Sequence, residues 1–207
     1  MRFFCASAAL AGAATVSFGA ISSVTGSALL ISPPPSTALG ALQSNTRAPA
    51  FDERQDLVLG AGLSVDITTP GIYDALSDLT PGVIAAGTRV HSHYLYADPE
   101  RRESTVYEGS VLFDQQVLGI IVLRSALNAS DAALGAPGTI YADNEARGLE
   151  FGQDRVTLVL SGNRVNFRFT TSTATDDIRV ITAVPAPAGV LALAPALLAT
   201  LRRRRAK

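Results

Sequence analysis

The sequence predicts an all-β domain, an antiparallel β-sandwich or jelly roll, over residues 51–182. Short runs rich in Val, Ile, Tyr, Phe and Thr are separated by turn residues at spacings of about eight to twelve residues. No long segment repeats its apolar residues with the helical period of 3.6. Many short strands with frequent turns are typical of sandwiches and jelly rolls, whereas helical bundles and βαβ folds need long periodic segments.

The predicted strands differ in how their two faces are used. In residues 164–170, Val165, Phe167 and Phe169 alternate with polar residues, which indicates one buried and one solvated face. The run 117–123 is apolar on both faces, so we predict a central strand that is covered on both sides. The predicted strands are 57–59, 63–67, 89–96, 104–113, 117–123, 155–160, 164–170 and 178–182.

Two local motifs predict how these strands are connected. Ser161-Gly162-Asn163 stands between two predicted strands and indicates a tight hairpin. One helical turn is predicted in residues 125–134, where the polar residues from Asn128 to Asp131 can cap a short helix. No segment repeats with a period of 20 to 50 residues, which argues against solenoids and propellers.

Charge is distributed unevenly along the 207 residues. The formal net charge is −1, but residues 47–179 contain 11 basic and 18 acidic residues, a net charge of −7. The remaining basic residues are Arg2 and the cluster at the extreme C-terminus, Arg202, Arg203, Arg204, Arg205 and Lys207. A short basic cluster directly after an apolar run is typical of a membrane-flanking segment, and the acidic body argues against nucleic-acid binding.

The N-terminus has the pattern of an export signal. Arg2 precedes an apolar stretch, and no further charge occurs before Arg47. We predict a signal peptide over residues 1–28, with cleavage at Ala20 or at 26–28, followed by a Pro- and Ser-rich linker over 29–50; an uncleaved helix is the alternative. The single cysteine, Cys5, lies inside the signal, so the mature chain would have no disulfide, no thiolate metal site and no cysteine nucleophile.

The C-terminus, residues 183–207, combines a proline motif, an apolar run and the arginine cluster. The apolar run 190–201 is about 18 Å long as a helix, which is shorter than the roughly 30 Å of a bilayer core. Four arginines would have to cross the bilayer for the segment to pass, so the run can halt translocation as a short transmembrane helix. The positive-inside rule then places Arg202 to Arg205 in the cytoplasm and the acidic body outside.

This three-part tail resembles the PEP-CTERM class of bacterial sorting signals, and within it the VPLPA-type variant. The motif is formed here by Val184, Pro185, Ala186, Pro187 and Ala188, with Ala186 where the variant usually has Leu. The resemblance implies recognition by a membrane-embedded exosortase-type transpeptidase, cleavage near the motif and delivery to the surface or extracellular matrix of a Gram-negative bacterium. The body, over residues 89–182, also resembles the ectodomain of a group of PEP-CTERM proteins, and this second resemblance implies no particular ligand. The alternative for the tail is a permanent membrane anchor.

The two histidines are the first candidate for site chemistry. His91 and His93 are two residues apart in a predicted strand, so their side chains point to the same face. They can supply two imidazoles to a divalent metal ion, with Asp98 or Glu100 from the following loop as a third ligand. Ordinary histidines of a surface strand are the alternative.

An acidic stretch is the second candidate. Asp143 and Glu145, with Glu150 and Asp154, can offer oxygen ligands to calcium in a loop, although their spacing matches no EF-hand. A solvated acidic turn is the alternative. Tyr94 is predicted to share a strand face with Tyr96, either as part of a sugar-binding platform or as core packing.

We therefore predict a non-enzymatic protein that is exported through the translocon and sorted to the cell surface or matrix, where it can contact exopolysaccharide. No resident cofactor is predicted. The alternative is an extracellular carbohydrate-binding or hydrolytic domain, with calcium as its possible cofactor. A hydrolase would need two carboxylates about 5 to 10 Å apart in a cleft, and the sequence contains no Gly-x-Ser-x-Gly nucleophile motif.

Overall fold

A computed structural model describes residues 20–100, 104–143, 145, 147–149, 151 and 157–184. All of them belong to one compact unit, Phe18–Val184. They form thirteen strands, one α-helix and a 3-10 turn at Leu76–Asp78. In chain order the elements are β1 Ile21–Gly26, β2 Ala28–Leu30, β3 Ala48–Asp52, β4 Leu57–Val58, β5 Leu63–Val65, β6 Gly71–Tyr73, β7 Gly82–Ile84, β8 Arg89–Ala97, β9 Thr105–Phe113, β10 Val117–Ile121, α1 Arg124–Leu134, β11 Thr157–Ser161, β12 Arg164–Thr171 and β13 Asp176–Ala183.

The strands form two main sheets. The first sheet has the order β1-β9-β12-β11-β6, and the second has the order β10-β13-β8-β3-β2, with β4 also paired to β8. A small third sheet contains β5 and β7. Every pair of strands is antiparallel except β2 with β3. The described chain is thus mostly antiparallel β-sheet, which confirms the predicted all-β class.

The core has two parts because the second sheet is covered on both faces. One cluster of buried residues joins the two main sheets, with Phe113 and Phe167 from the first sheet and Val180 from the second. The other cluster lies on the opposite face of the second sheet, where Leu127 and Leu134 of α1 pack. The structure is therefore a sandwich with an additional helical layer over one sheet.

Strand β12 shows the predicted alternation. Its burial alternates residue by residue, with Val165, Phe167 and Phe169 almost inaccessible to solvent. The predicted hairpin is also present, because β11 and β12 pair at Ser161 and Arg164 with two residues between them. The first of these, Gly162, has a φ of +60°, a left-handed conformation that glycine adopts without a steric penalty.

The prediction of a central strand at 117–123 is wrong in its position. Strand β10 is covered on both faces as predicted, but it stands at the end of the second sheet's strand order. The other edge of β10 is paired at one point with the segment that follows β5. The amide of Asp66 donates to the carbonyl of Ile120 at 2.9 Å, and Ile67 forms an isolated antiparallel bridge with Ile120. The apolar sequence therefore correctly indicated that both faces of β10 are buried. It did not determine the position of β10 in the order of strands.

The predicted helix is present, but its predicted cap is wrong. Helix α1 begins at Arg124, preceded by Leu123, which makes no side-chain capping hydrogen bond. Asn128 and Asp131 therefore lie inside the helix, where they serve the buried contacts described below. Upstream of α1, the carboxylate of Asp66 accepts hydrogen bonds from the amides of Val122 and Leu123 at 2.7 and 2.9 Å.

Three strands begin upstream of residue 51, the predicted start of the β-domain, and β3 extends across it. Strand β1 pairs with β9 along residues Ile21 to Gly26, and β2 pairs with β3 in the second sheet. Ala48 and Ala50 of β3 are completely buried. In the described part of the chain no helix is long and apolar enough to cross a membrane. Most of the predicted signal and nearly all of the sorting tail lie outside the described residues.

Candidate functional site

Strand β8 places the two histidines and two tyrosines on opposite faces of the second sheet. The ring of His93 faces the first sheet and lies 4.8 Å from the ring of Phe113. Tyr94 and Tyr96 belong to the cluster on the other face, beneath α1. These two histidines and two tyrosines are each at most 1% exposed. Tyr94 and Tyr96 therefore pack in the core and do not form an exposed sugar platform.

His93 lies between a carboxylate and a hydroxyl. Its Nδ1 is 2.6 Å from Asp52 Oδ1, and its Nε2 is 3.0 Å from Thr182 Oγ1. The same Asp52 oxygen accepts the amide hydrogen of Ile21 at 3.1 Å. The order carboxylate, imidazole, hydroxyl is the order of a nucleophilic triad. Thr182 is only 1% exposed, however, so a substrate in solution does not reach its hydroxyl in this conformation.

His91 has a different environment. Its Nδ1 accepts a hydrogen bond of 3.0 Å from the amide of Asp56, which requires this nitrogen to be unprotonated. Burial and then the neighbouring His93 lower the pKa of His91 below its ordinary value. The two predicted further ligands lie elsewhere: Asp98 is bonded to Tyr96 on the opposite face, and Glu100 is exposed. Among the described residues, no three His, Cys, Asp or Glu side chains are grouped to hold a metal ion.

The acidic stretch is only partly described. The Asp143 side chain is 77% exposed, accepts a hydrogen bond from the Asn128 amide and lies 3.7 Å from Arg124. Glu145 is exposed. Glu150 and Asp154 lie outside the described residues.

The largest polar cluster lies under α1, and sequence reasoning missed it. We call it the arginine network; it consists of Arg147, Arg179, Glu53, Asp131, Tyr94 and Tyr141. Arg179 of β13 donates to both oxygens of Glu53, at 2.7 and 2.8 Å, and to Asp131 at 3.0 Å. Its third nitrogen donates to the Ser130 hydroxyl at 2.6 Å. The side chains of Arg179 and Glu53 are completely buried.

Arg147 forms the other half of the arginine network. It donates to both oxygens of Asp131, at 2.7 and 2.8 Å, and to Asn128 at 2.6 Å. Its remaining hydrogen bonds go to the Tyr94 hydroxyl, at 3.1 and 3.2 Å. Both guanidinium groups lie 5.2 to 5.9 Å from the ring centroids of Tyr94 and Tyr141, a range in which a cation is attracted to an aromatic face.

The arginine network fastens α1 and the segment around Arg147 to the second sheet. Every charged group in it has a charged partner, and Tyr141 and Ser92 each donate to Glu53 at 2.5 Å. Burying two guanidinium groups is tolerable only because each is paired and hydrogen-bonded. The sequence contains one indication of a buried charge, because Arg179 stands between two apolar residues of β13. The spacing of residues along the chain could not predict that Arg179 contacts Glu53 and Asp131.

A second cluster of polar side chains lies at the end of β8 and the start of β13, on the face of the second sheet that α1 covers. Asp98 Oδ2 accepts hydrogen bonds from the Gly40 amide at 2.7 Å and the Tyr96 hydroxyl at 2.8 Å. Asp177 lies opposite Tyr96 in the register, and its Oδ2 accepts the Thr175 hydroxyl at 2.9 Å. Both carboxylates are at most 1% exposed. Burial raises the pKa of Asp177 to about 7, and the charge of Asp98 adds to that rise.

The predicted sorting motif begins directly after the last strand, β13. Val184 follows directly after β13, and its amide lies 3.4 Å from the carbonyl of Arg89. Pro185, Ala186, Pro187 and Ala188 lie outside the described residues, as do Arg202 to Arg205. No family model, curated protein or solved structure matches this chain.

Proposed function

We propose that the chain is a non-enzymatic exported protein whose β-sandwich is carried to the cell surface or extracellular matrix by its C-terminal signal. In this account a signal helix directs the chain to the translocon, and the short apolar run 190–201 holds it in the membrane as a transmembrane helix. An exosortase-type transpeptidase then acts near Val184 to Ala188. The acidic body is the part that reaches the surface, where it can contact exopolysaccharide.

The observation that supports this proposal is where the strands begin and end. Strand β1 starts at Ile21, and β13 ends at Ala183, directly before the motif. Strand β13 lies between β10 and β8 in the second sheet, and its last amide, that of Ala183, still donates to Gln116 at 2.9 Å. A cut after Val184 would therefore remove the tail without removing a strand.

The same reasoning favours one of the two signal cleavage points. A cut at 26–28 would remove β1, which is hydrogen-bonded to β9 and carries Ile21, a residue only 5% exposed. A cut at Ala20 would leave β1 intact. We therefore propose that the signal peptide ends at Ala20.

The experiment is to follow where the protein accumulates in a bacterium that has the sorting enzyme. We would compare the wild type with a motif variant, Pro185→Ala with Pro187→Ala, and with a tail variant in which Arg202 to Arg205 are replaced by Ser. The wild type should reach the surface or medium, and the motif variant should remain in the inner membrane with its tail. Equal surface delivery of the wild type and the motif variant would contradict the proposal.

A hydrolytic domain is the second candidate, and the order of Asp52, His93 and Thr182 is the observation that favours it. An active-site phosphonate probe that labels hydroxyl nucleophiles would test it. We expect no labelling, because Thr182 is buried. Labelling of the wild type that is lost in Thr182→Val would favour the hydrolase instead.

A further inference from the structure

We propose that Asp98 and Asp177 bind a calcium ion at the end of β8 and the start of β13, on the face of the second sheet that α1 covers. This site differs from the acidic stretch around Asp143 that the sequence suggested. It also does not depend on how the C-terminal tail is processed.

The first argument is that each carboxylate has one oxygen without a partner. Asp98 Oδ1 and Asp177 Oδ1 are both buried and have no hydrogen bond in the described part of the chain. Oδ2 of Asp98 accepts hydrogen bonds from the Gly40 amide and the Tyr96 hydroxyl, and Oδ2 of Asp177 accepts them from the Thr175 hydroxyl and, at 3.4 Å, the Gly148 amide. A buried carboxylate oxygen without a partner is unfavourable, and a bound cation would supply the missing partner.

The second argument is charge. The hydrogen bonds that the two buried arginines of this face make to carboxylates all go to Glu53 and Asp131. Asp98 and Asp177 are therefore left without a guanidinium that hydrogen-bonds to them, and the charge of Arg147 offsets only part of the effect of burial on Asp177. Two neighbouring buried carboxylates of this kind repel each other, and one divalent cation would neutralise both.

The third argument is that the two carboxylates are close in the sheet register. Asp177 lies opposite Tyr96, and Asp98 is bonded to the Tyr96 hydroxyl, so the two are diagonal neighbours on one face. The Cα atoms of diagonal neighbours are roughly 7–8 Å apart, and their side chains stand on the same side of the sheet. A cation whose oxygen distances are about 2.3–2.6 Å would bind both residues with the two carboxylates leaning toward each other.

The donor atoms favour calcium over other cations. The two unpartnered atoms of the site are carboxylate oxygens, and the hydroxyl oxygen of Thr37 is also buried without a hydrogen bond. Thr37 precedes Ala38, whose carbonyl is 3.1 Å from the same Tyr96 hydroxyl that contacts Asp98. Carboxylate, hydroxyl and carbonyl oxygens suit calcium, which accepts irregular geometry, whereas magnesium usually retains several waters that a buried site admits poorly.

The test is thermal unfolding of the full chain with 10 mM calcium chloride and with EDTA, at constant ionic strength. Extracellular calcium sites have dissociation constants of about 10⁻⁴ to 10⁻³ M. Binding of that strength should raise the Tm by roughly 3–10 °C. Magnesium chloride at the same concentration should give a smaller rise. Equilibrium dialysis should find one calcium ion per chain.

Three variants make the test specific. Asp98→Asn and Asp177→Asn keep the side-chain shape and should each abolish the rise in Tm. Asp143→Asn is the matched control, because its side chain is 77% exposed, and it should retain the rise. No calcium effect on the wild type would overturn the proposal. It would also be overturned if Asp98→Asn and Asp177→Asn kept the effect, or if only Asp143→Asn lost it.

Discussion

The guanidinium of Arg179 forms a bidentate ion pair with the carboxylate of Glu53, with hydrogen bonds of 2.7 and 2.8 Å, and neither side chain is exposed to solvent. The two residues are 126 positions apart in the sequence. Their contact joins β13 to the segment that follows β3, directly beneath α1. The pair is thus a long-range constraint on the second sheet and its helical layer.

Breaking this pair should destabilise the fold strongly. Removing one partner of a buried ion pair leaves an uncompensated charge, so Arg179→Met should lower the free energy of unfolding by about 3–5 kcal/mol. The double variant Arg179→Met with Glu53→Leu should lose less than the sum of the two single variants, because neither member of the pair is left buried without the other. Urea denaturation of the three variants measures this.

The exposed pair of Arg89 with Asp56 is the control for that measurement. Its side chains are 49% and 27% exposed, so Arg89→Ala should change the free energy of unfolding by at most about 1 kcal/mol. Equal losses from Arg89→Ala and Arg179→Met would show that burial does not set the strength of these pairs.

Asp177 should make stability depend on pH when calcium is removed by a chelator. Burial raises its pKa to about 7 from 3.8, so between these values the folded state binds a proton that the unfolded state has released. The free energy of unfolding should therefore fall as the pH rises from about 4 to about 7, by roughly 1 kcal/mol per pH unit at most, and then level off. Asp177→Asn should remove this contribution. Urea denaturation across that pH range measures it, and an unchanged pH profile in Asp177→Asn would contradict the assignment.

The two histidines should differ in which nitrogen carries a proton. The Asp56 amide donates to Nδ1 of His91, so that nitrogen has no proton and Nε2 carries it. Nδ1 of His93 lies 2.6 Å from the Asp52 carboxylate and should carry a proton. Long-range ¹H–¹⁵N correlation spectra at neutral pH distinguish the two states. Identical protonation of the two Nδ1 atoms would contradict the hydrogen-bonding scheme.

Acid should weaken the fold through His91. Its pKa is lowered in the folded state, chiefly by burial, so the unfolded state takes up a proton first as the pH falls below 6.5. This contribution to stability is therefore lost on acidification, opposite in direction to that of Asp177. The contribution of His91 is the difference in the free energy of unfolding between the wild type and His91→Gln. If this difference is the same at pH 7 and at pH 5, His91 does not weaken the fold in acid.

Strand β1 should be necessary for folding. A chain that begins at Ala20 should unfold at the same temperature as the full chain, whereas one that begins at Leu29 should be destabilised or insoluble. The shorter chain lacks the strand that pairs with β9 and exposes that edge. Circular dichroism melts compare the two chains. Equal melting temperatures would remove the structural argument for cleavage at Ala20.

The sequence predicted those features that depend on neighbouring residues. Alternation in β12, the turn at Gly162 and the opposite faces of His93 and Tyr94 all follow from the two-residue period of a strand. The arginine network could not be predicted, because Glu53 and Arg179 meet only through the order of strands in the second sheet. The predicted signal peptide includes β1, because its small, uncharged residues, Ile-Ser-Ser-Val-Thr-Gly, resemble the cleavage region of a signal.

In the proposed function both ends of the chain are removed without loss of a strand, and the intact mass of the protein recovered from the surface or medium tests this. We expect a chain that begins at or next to Ala20 and ends within residues 184–188. Such a chain would lack Cys5 and all four arginines from Arg202 to Arg205. Recovery at the surface of only chains that retain Met1 or the four arginines would contradict it.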